Sequence, residues 1–192
     1  MQRAAPTTSL LHHSETAPKM SRAEAYMLQR DHEESDRLNK QSKFLHALFD
    51  HCILHPSIPR KGLHAIADVG TGTGVWMEEV QQELNSTLRG QSVQLVGFDV
   101  SEDQFPDQKR SDLEYRVHDA VNPFPARYHN TFDLVHVRFL SYGIKAHQLE
   151  AFVDSVSQIV RESENPSHQA VVLANAELQA QGDISSGKKS TV

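Results

Sequence analysis

Hydrophobic positions change period along the chain. Leu38, Phe44, Leu45, Leu48, Phe49 and Cys52 recur at the spacing of one helical face. From Ser21 to about Leu54 there is no Gly or Pro. Ser21-Arg22-Ala23-Glu24 fits a capping box, in which hydroxyl and carboxylate each satisfy a backbone amide of the first turn. This predicts a helical segment over 21–55, strongly polar around Arg30 to Asp36 and amphipathic in its second half. Short apolar runs follow at 65–69, 93–99, 113–119, 132–140 and 170–174 and predict five strands. The run at 132–140 is apolar at adjacent as well as alternate positions, as in a strand buried on both faces. Helical patterns stand between strands: one over 75–88, apolar at Val75, Val80 and Leu84 and closed by Gly90, and one through Leu149, Phe152, Val153, Val156 and Val160. Strands alternating with helices predict an α/β fold, a Rossmann-like open and mostly parallel sheet flanked by helices. Residues 1–20, rich in Pro, Thr, Ser and His, are expected to be a disordered tail, and 21–55 a helical lid. Pro56 to Gly62 reads as a turn and linker, 62–175 as the Rossmann-like domain and 176–192 as a polar tail.

The chemistry concentrates where the first of these strands ends. Asp68-Val69-Gly70-Thr71-Gly72-Thr73-Gly74 is a strand end, a glycine turn and the start of a helix. Glycines at alternate positions allow a tight turn and let a ligand lie against bare main chain. A dinucleotide fingerprint would need glycine where Val75 stands, and a phosphate-gripping P-loop would need a Gly-Lys-Ser/Thr ending. The loop therefore suits a nucleoside without a pyrophosphate. In an open parallel sheet, ligands lie at the carboxyl ends of the strands. Asp99 ends the second strand, 25 residues beyond Gly74 (99 minus 74), where a carboxylate takes two hydrogen bonds from a ribose diol. The alternative is an acid that starts the next turn. Asp119 and Ala120 end the third strand, where an adenine amino group needs an acceptor and a ring nitrogen a backbone donor.

Three further groups have two readings each. Arg37 and Gln41 lie one helical turn apart. They are either a solvated flank or, with Tyr26, the underside of a helix laid over a cofactor. His136 and Arg138 stand at the carboxyl end of the fourth strand; His136 is a general base or a wall of the pocket. His51 and His55, also one turn apart and followed by Pro56, are two surface histidines or half of a metal site that lacks further ligands. No metal is expected.

Composition narrows the partners. The 192 residues make one domain, and a net charge of -6 argues against a nucleic-acid surface. The single cysteine, Cys52, excludes an internal disulfide and points to an intracellular, cytoplasmic protein. No apolar run approaches the roughly 18 residues of a membrane span. The expected partner is a small-molecule substrate; the oligomeric state is not legible.

Tyr26, the Arg37-Leu38-x-x-Gln41 segment, Ile66 to Gly74 followed by Trp76, Gly97-Phe98-Asp99-Val100-Ser101 and Phe132-Asp133-Leu134-Val135-His136-Val137-Arg138 together resemble the class I S-adenosylmethionine-dependent methyltransferases. Within that class they are similar to the fungal secondary-metabolism group that includes the gliotoxin thiol methyltransferase and the LaeA-like regulators. The resemblance spans about residues 24 to 160. It implies S-adenosylmethionine as cofactor, bound by Tyr26, Arg37, Asp68, Gly70, Gly72, Gly74, Asp99, Val100, Asp119, Ala120 and His136 under an N-terminal helical lid. It implies an enzyme that moves a methyl group to a small-molecule acceptor in secondary metabolism. No catalytic dyad is expected, because a sulfonium methyl is already activated and alignment of the nucleophile supplies most of the rate. The chain departs from the family after about Val160, where Arg161-Glu162-Ser163-Glu164-Asn165-Pro166 replaces a Leu-Lys-Pro-Gly-Gly turn. The last strands of the usual seven-stranded sheet have no counterpart. The second reading is therefore a cofactor-binding or regulatory protein without turnover, or a truncated relative, nuclear if regulatory.

Overall fold

The computed structural model describes residues 32–48, 52–88, 90–107, 110–138, 140, 143–162 and, by backbone, 170–173. Its elements are α1 (His32–Leu48), β1 (Ala65–Val69), α2 (Val75–Thr87), β2 (Gln94–Asp99), β3 (Leu113–Val117), β4 (Leu134–Val137), α3 (Leu149–Ile159) and β5 (Ala170–Leu173). The five strands form one sheet in the order β3-β2-β1-β4-β5, every pairing parallel. This is the open doubly wound sheet expected from the sequence, and its order reverses between β1 and β4. The expected tails, the start of the lid and any strand beyond 173 lie outside the described residues.

Each face of the sheet has its own core. Ile66, Leu95, Leu113 and Leu134 meet Trp76, Met77, Val80 and Leu84 of α2, with Leu54, Ile58 and Leu63. On the other face, Ala67, Val69, Val96, Phe98, Val135 and Val137 meet Phe152, Val156 and Ile159 of α3. Phe98 is the hub of that layer, edge-on to Phe124 and Tyr128 with ring centroids 5.0 Å away in both cases. A Cβ at Gly97 would lie 2.7 Å from the Met77 methyl, so the glycine lets α2 settle on β2. The segment after α1 is an ordered turn: Arg60 donates to the carbonyls of Leu54, His55 and Ile58 and pairs with Glu83 of α2.

The amphipathic reading of α1 is corrected. Phe44 and Leu48 are 63% and 60% exposed, and Cys52 is exposed. Only Ser42 is buried, with Leu38 and Leu45 half-buried beside it. The helix lies on the polar rim of the sheet rather than on its apolar face, so polar residues cover the contact.

The amino ends of β1 and β4 are joined by Asp133. One carboxylate oxygen accepts the amides of His64 (2.7 Å) and Ala65 (2.9 Å), and the other accepts Arg161, which also donates to the Thr131 carbonyl. Asp133→Ala strands the amide of the buried Ala65 and should lower stability by about 2–3 kcal/mol in urea unfolding. Asp133→Asn, which keeps one acceptor oxygen, should lose less, and two unchanged midpoints would refute the assignment.

Candidate functional site

The site is built at the carboxyl ends of β1, β2 and β3. Beyond Val69 the chain turns through Gly70, Gly72 and Gly74, whose φ angles are 79°, 52° and 74°. These left-handed conformations strain any residue with a Cβ, which is why glycine alternates here. The Gly70 and Thr71 amides donate to the Phe98 carbonyl at 2.8 and 3.0 Å, tying the loop to the tip of β2. The Gly72 amide donates to Asp99 Oδ2 at 2.9 Å, and the Ser101 amide reaches Asp99 Oδ1 at 3.4 Å. The His118 amide donates to the Asp99 carbonyl at 2.7 Å, which ties the tip of β3 to that of β2. Asp119 follows in a turn whose Val121 amide donates to its carboxylate at 3.3 Å, and Ala120 packs against the core. The structure thus brings together Gly70, Gly72, Gly74, Asp99, Val100, Asp119 and Ala120. Bare main chain stands beside the Asp99 carboxylate, and Asp119 follows two residues beyond the end of β3.

Asp68 and His136 form a second arrangement, inside the sheet. They are register partners on β1 and β4, and their side chains share the face covered by α2. His136 Nδ1 lies 2.7 Å from Asp68 Oδ1; a carboxylate only accepts, so Nδ1–H donates. The Trp76 ring stacks on the imidazole at 3.7 Å with 7° between the planes. Asp68, expected at the cofactor, is instead turned inward, because a carboxylate with 3% exposure needs a hydrogen-bonded partner. Of the two readings of His136, the pocket wall fits its position, with its ring held by Asp68 and Trp76. The signal for this pair was present in the sequence: two apolar strands each carry one polar residue near the carboxyl end, and adjacent buried polar residues pair.

Helix α1 crosses over the glycine loop. Thr73 donates to Asn39 Oδ1 at 2.8 Å, Ser42 to Glu79 of α2 at 3.3 Å, and Ser35 to Gln104 at 3.3 Å. His46 also meets Glu79 at 3.1 Å. Arg138, beyond β4, donates to Ser42 at 3.3 Å; burial pulls its guanidinium below the ordinary range, opposed by Asp68 and Glu79. The underside of the helix is therefore Ser35, Leu38, Asn39, Ser42 and His46, residues that sequence reasoning missed. Arg37, expected to face the cofactor, is turned away: it sits two residues from Asn39, about 200° around the helix. Its guanidinium pairs with Glu34 at 2.6 Å and contacts Gln41 at 3.5 Å. Tyr26 lies outside the described residues. Among those residues no group of His, Cys, Asp or Glu is placed to hold a metal ion, and no helix is long and apolar enough to cross a membrane.

Two outcomes test this geometry. A Cβ at Gly74 would stand 2.3 Å from the Tyr115 hydroxyl, whereas one at Gly90, with φ 82°, meets nothing within 4 Å. Gly74→Ala should cost about 2–4 kcal/mol in unfolding free energy and Gly90→Ala only about 1–2 kcal/mol, so equal losses would refute the close approach. At the tip of β3, burial pushes His118 below its ordinary 6.5, opposed by the Asn122 carbonyl and Asp119. The unfolded chain then takes up this proton first, so stability should fall as pH drops below 6.5 towards the folded value. Thermal midpoints against pH should show a shallower acid slope in His118→Asn, and parallel slopes would contradict the shift.

No protein-family model matches the chain. It is 34% identical over 138 residues to the methyltransferase grgD of Penicillium sp, covering 71% of this chain and 48% of that protein. It is 33% identical over 118 residues to the N-methyltransferase sirN of Leptosphaeria maculans, covering 62% of this chain and 39% of that one. The chain thus spans less than half the length of these curated relatives. Among solved structures, the plantazolicin methyltransferase BpumL in complex with SAH superposes with a TM-score of 0.50 at 16% identity, over 73% of this chain and 53% of that one. That likeness is one of fold. Together with the glycine loop and the acids that follow it, these comparisons make the chain similar in sequence to fungal methyltransferases such as grgD and sirN and alike in fold to a methyltransferase solved with SAH.

Proposed function

We propose that the chain binds S-adenosylmethionine and moves its methyl group to a small-molecule acceptor in secondary metabolism. The observation that carries this is the junction of Gly72 and Asp99. The amide of the bare loop holds the carboxylate at 2.9 Å, orienting the acid that receives the ribose diol. The donor set fits an adenosyl group: carboxylate acceptors at or just beyond two strand tips, bare glycine backbone at the third, and no cationic phosphate grip in the loop. Asp119 and the Ala120 amide serve the adenine edge, with Val100 beside them. Leu38 of α1 and Leu140 lie against Gly72 and Gly70 and close the loop from above, keeping water from the reacting atoms. Asp68 and His136 act from beneath by fixing the strand end on which the loop stands. Tyr26 is retained as a lid contact, and Arg37 serves the cofactor only after leaving Glu34.

The bound cofactor supplies an activated methyl on a sulfonium centre. The chain's contribution is to bind, exclude water and align, with the acceptor atom within about 3–3.5 Å and in line with the bond to be broken. The acidic net charge of -6 suits a small-molecule partner rather than a nucleic acid, and the cytoplasm is the expected compartment.

Calorimetry with S-adenosylmethionine and its demethylated product tests the reading. Asp99→Ala should weaken binding by about 1–3 kcal/mol, with Asp99→Asn in between. Folded wild-type protein that took up neither compound, or an Asp99→Ala protein of unchanged affinity, would sink the assignment.

A further inference from the structure

Beside the cradle, on the face of the sheet covered by α2, lies a cavity of about 190 Å³ bounded by α1, residues 52–58 and β4. Its wall is apolar: Leu45, Ile53, Leu54, Ile58 and Leu134, with Trp76 as its aromatic side. Its polar lining is His136 from β4, Arg138 just beyond it, His46 from α1, and Cys52 and His55 from the segment after α1. A dry cavity of about 150 Å³ already accepts benzene, so this volume suits one ring and not a fused polycycle. The Arg138 charge is already answered by Asp68 and Glu79. An ion entering the pocket would be desolvated with little electrostatic return. The Asp68 contact takes Nδ1–H of His136, so that in the neutral ring Nε2 is the hydrogen-bond acceptor.

We propose that this pocket seats the ring of the methyl acceptor: an uncharged, planar, single-ring group carrying one N–H or O–H that donates to His136 Nε2. The inference rests on the methyltransferase reading and adds to it the class of acceptor. Leu45 and Ile53, which line it, rather than the cofactor cradle, then set the size limit.

Trp76 is the chain's one tryptophan and Cys52 its one cysteine, and both line this pocket. The full chain is titrated with para-nitroaniline while Trp76 emission and the rate of Cys52 alkylation by iodoacetamide are followed. The expected result is saturable quenching and slower alkylation, with para-nitrobenzoate and para-nitrobenzylammonium each at least about tenfold weaker. Nitrobenzene, which has the ring but no donor, should also bind more weakly. Leu45→Phe adds bulk to the lining at a half-buried position and should weaken para-nitroaniline by about tenfold. S-adenosylmethionine binding is measured by calorimetry on the same samples. Cofactor binding without quenching or protection would overturn the pocket and leave the methyltransferase reading standing. Ring binding without cofactor binding would overturn the acceptor assignment together with that reading. Equal affinity for the charged probes or for nitrobenzene, or no effect of Leu45→Phe, would overturn the stated chemistry of the pocket.

Discussion

A carboxylate buried in the middle of a parallel sheet constrains everything near it. Asp68 is almost wholly removed from water, at the end of a strand whose other residues are apolar. Left without a partner it would cost several kcal/mol or give up its charge. His136 answers it from the adjacent strand, and the parallel register of β1 and β4 sets the two side chains on one face. Trp76 then stacks on the imidazole, which fixes the first turn of α2 above the pair. Strand register, helix start and glycine loop are thereby held to one another through three side chains. A slip of one residue would turn Asp68 to the opposite face, into the aromatic layer around Phe98.

The loop above that pair is held from two other directions. The Phe98 carbonyl and the Asp99 carboxylate accept its amides from the side, and α1 crosses it from above through Asn39 and Leu38. The second β-strand therefore does two jobs at one place. Its main chain ends the turn, and its last side chain both braces Gly72 and presents an acceptor outward. Ordering the acid before a ligand arrives reduces the conformational entropy lost on binding. Helix α1 is held by hydrogen bonds of two kinds: neutral ones, Ser35 to Gln104 and Thr73 to Asn39, and charged ones, Ser42 to Glu79 and Arg138 to Ser42. A neutral contact of this kind is worth about 1 kcal/mol and one to a charged group about 1.5–3 kcal/mol.

Much of the architecture was legible in the chain because it depends on short-range pattern. Apolar runs of strand length alternating with helical periodicity gave the five parallel strands and the two flanking helices, with ends differing by a residue or two. Glycine spacing located the turn, and Asp99 and Asp119 fall at or just beyond the following strand ends, because backbone conformation and strand-tip position are local properties. The face of α1 was misread for a related reason. Periodicity assumes that a helix buries its apolar stripe, but α1 rests on a polar rim, so Phe44 and Leu48 point outward and Ser42 inward.

The sequence by itself determined the fold class, the glycine turn and the acids that flank it, since each follows from residue type and spacing along the chain. Only the tertiary structure decided which polar groups face one another. That Asp68 turns inward to His136 and Trp76, that Arg37 turns outward to Glu34, and that an apolar pocket opens beside β4 all depend on residues far apart in sequence. The physical reason is desolvation: a buried charge takes the nearest partner in space, and spacing along the chain does not say which partner that is.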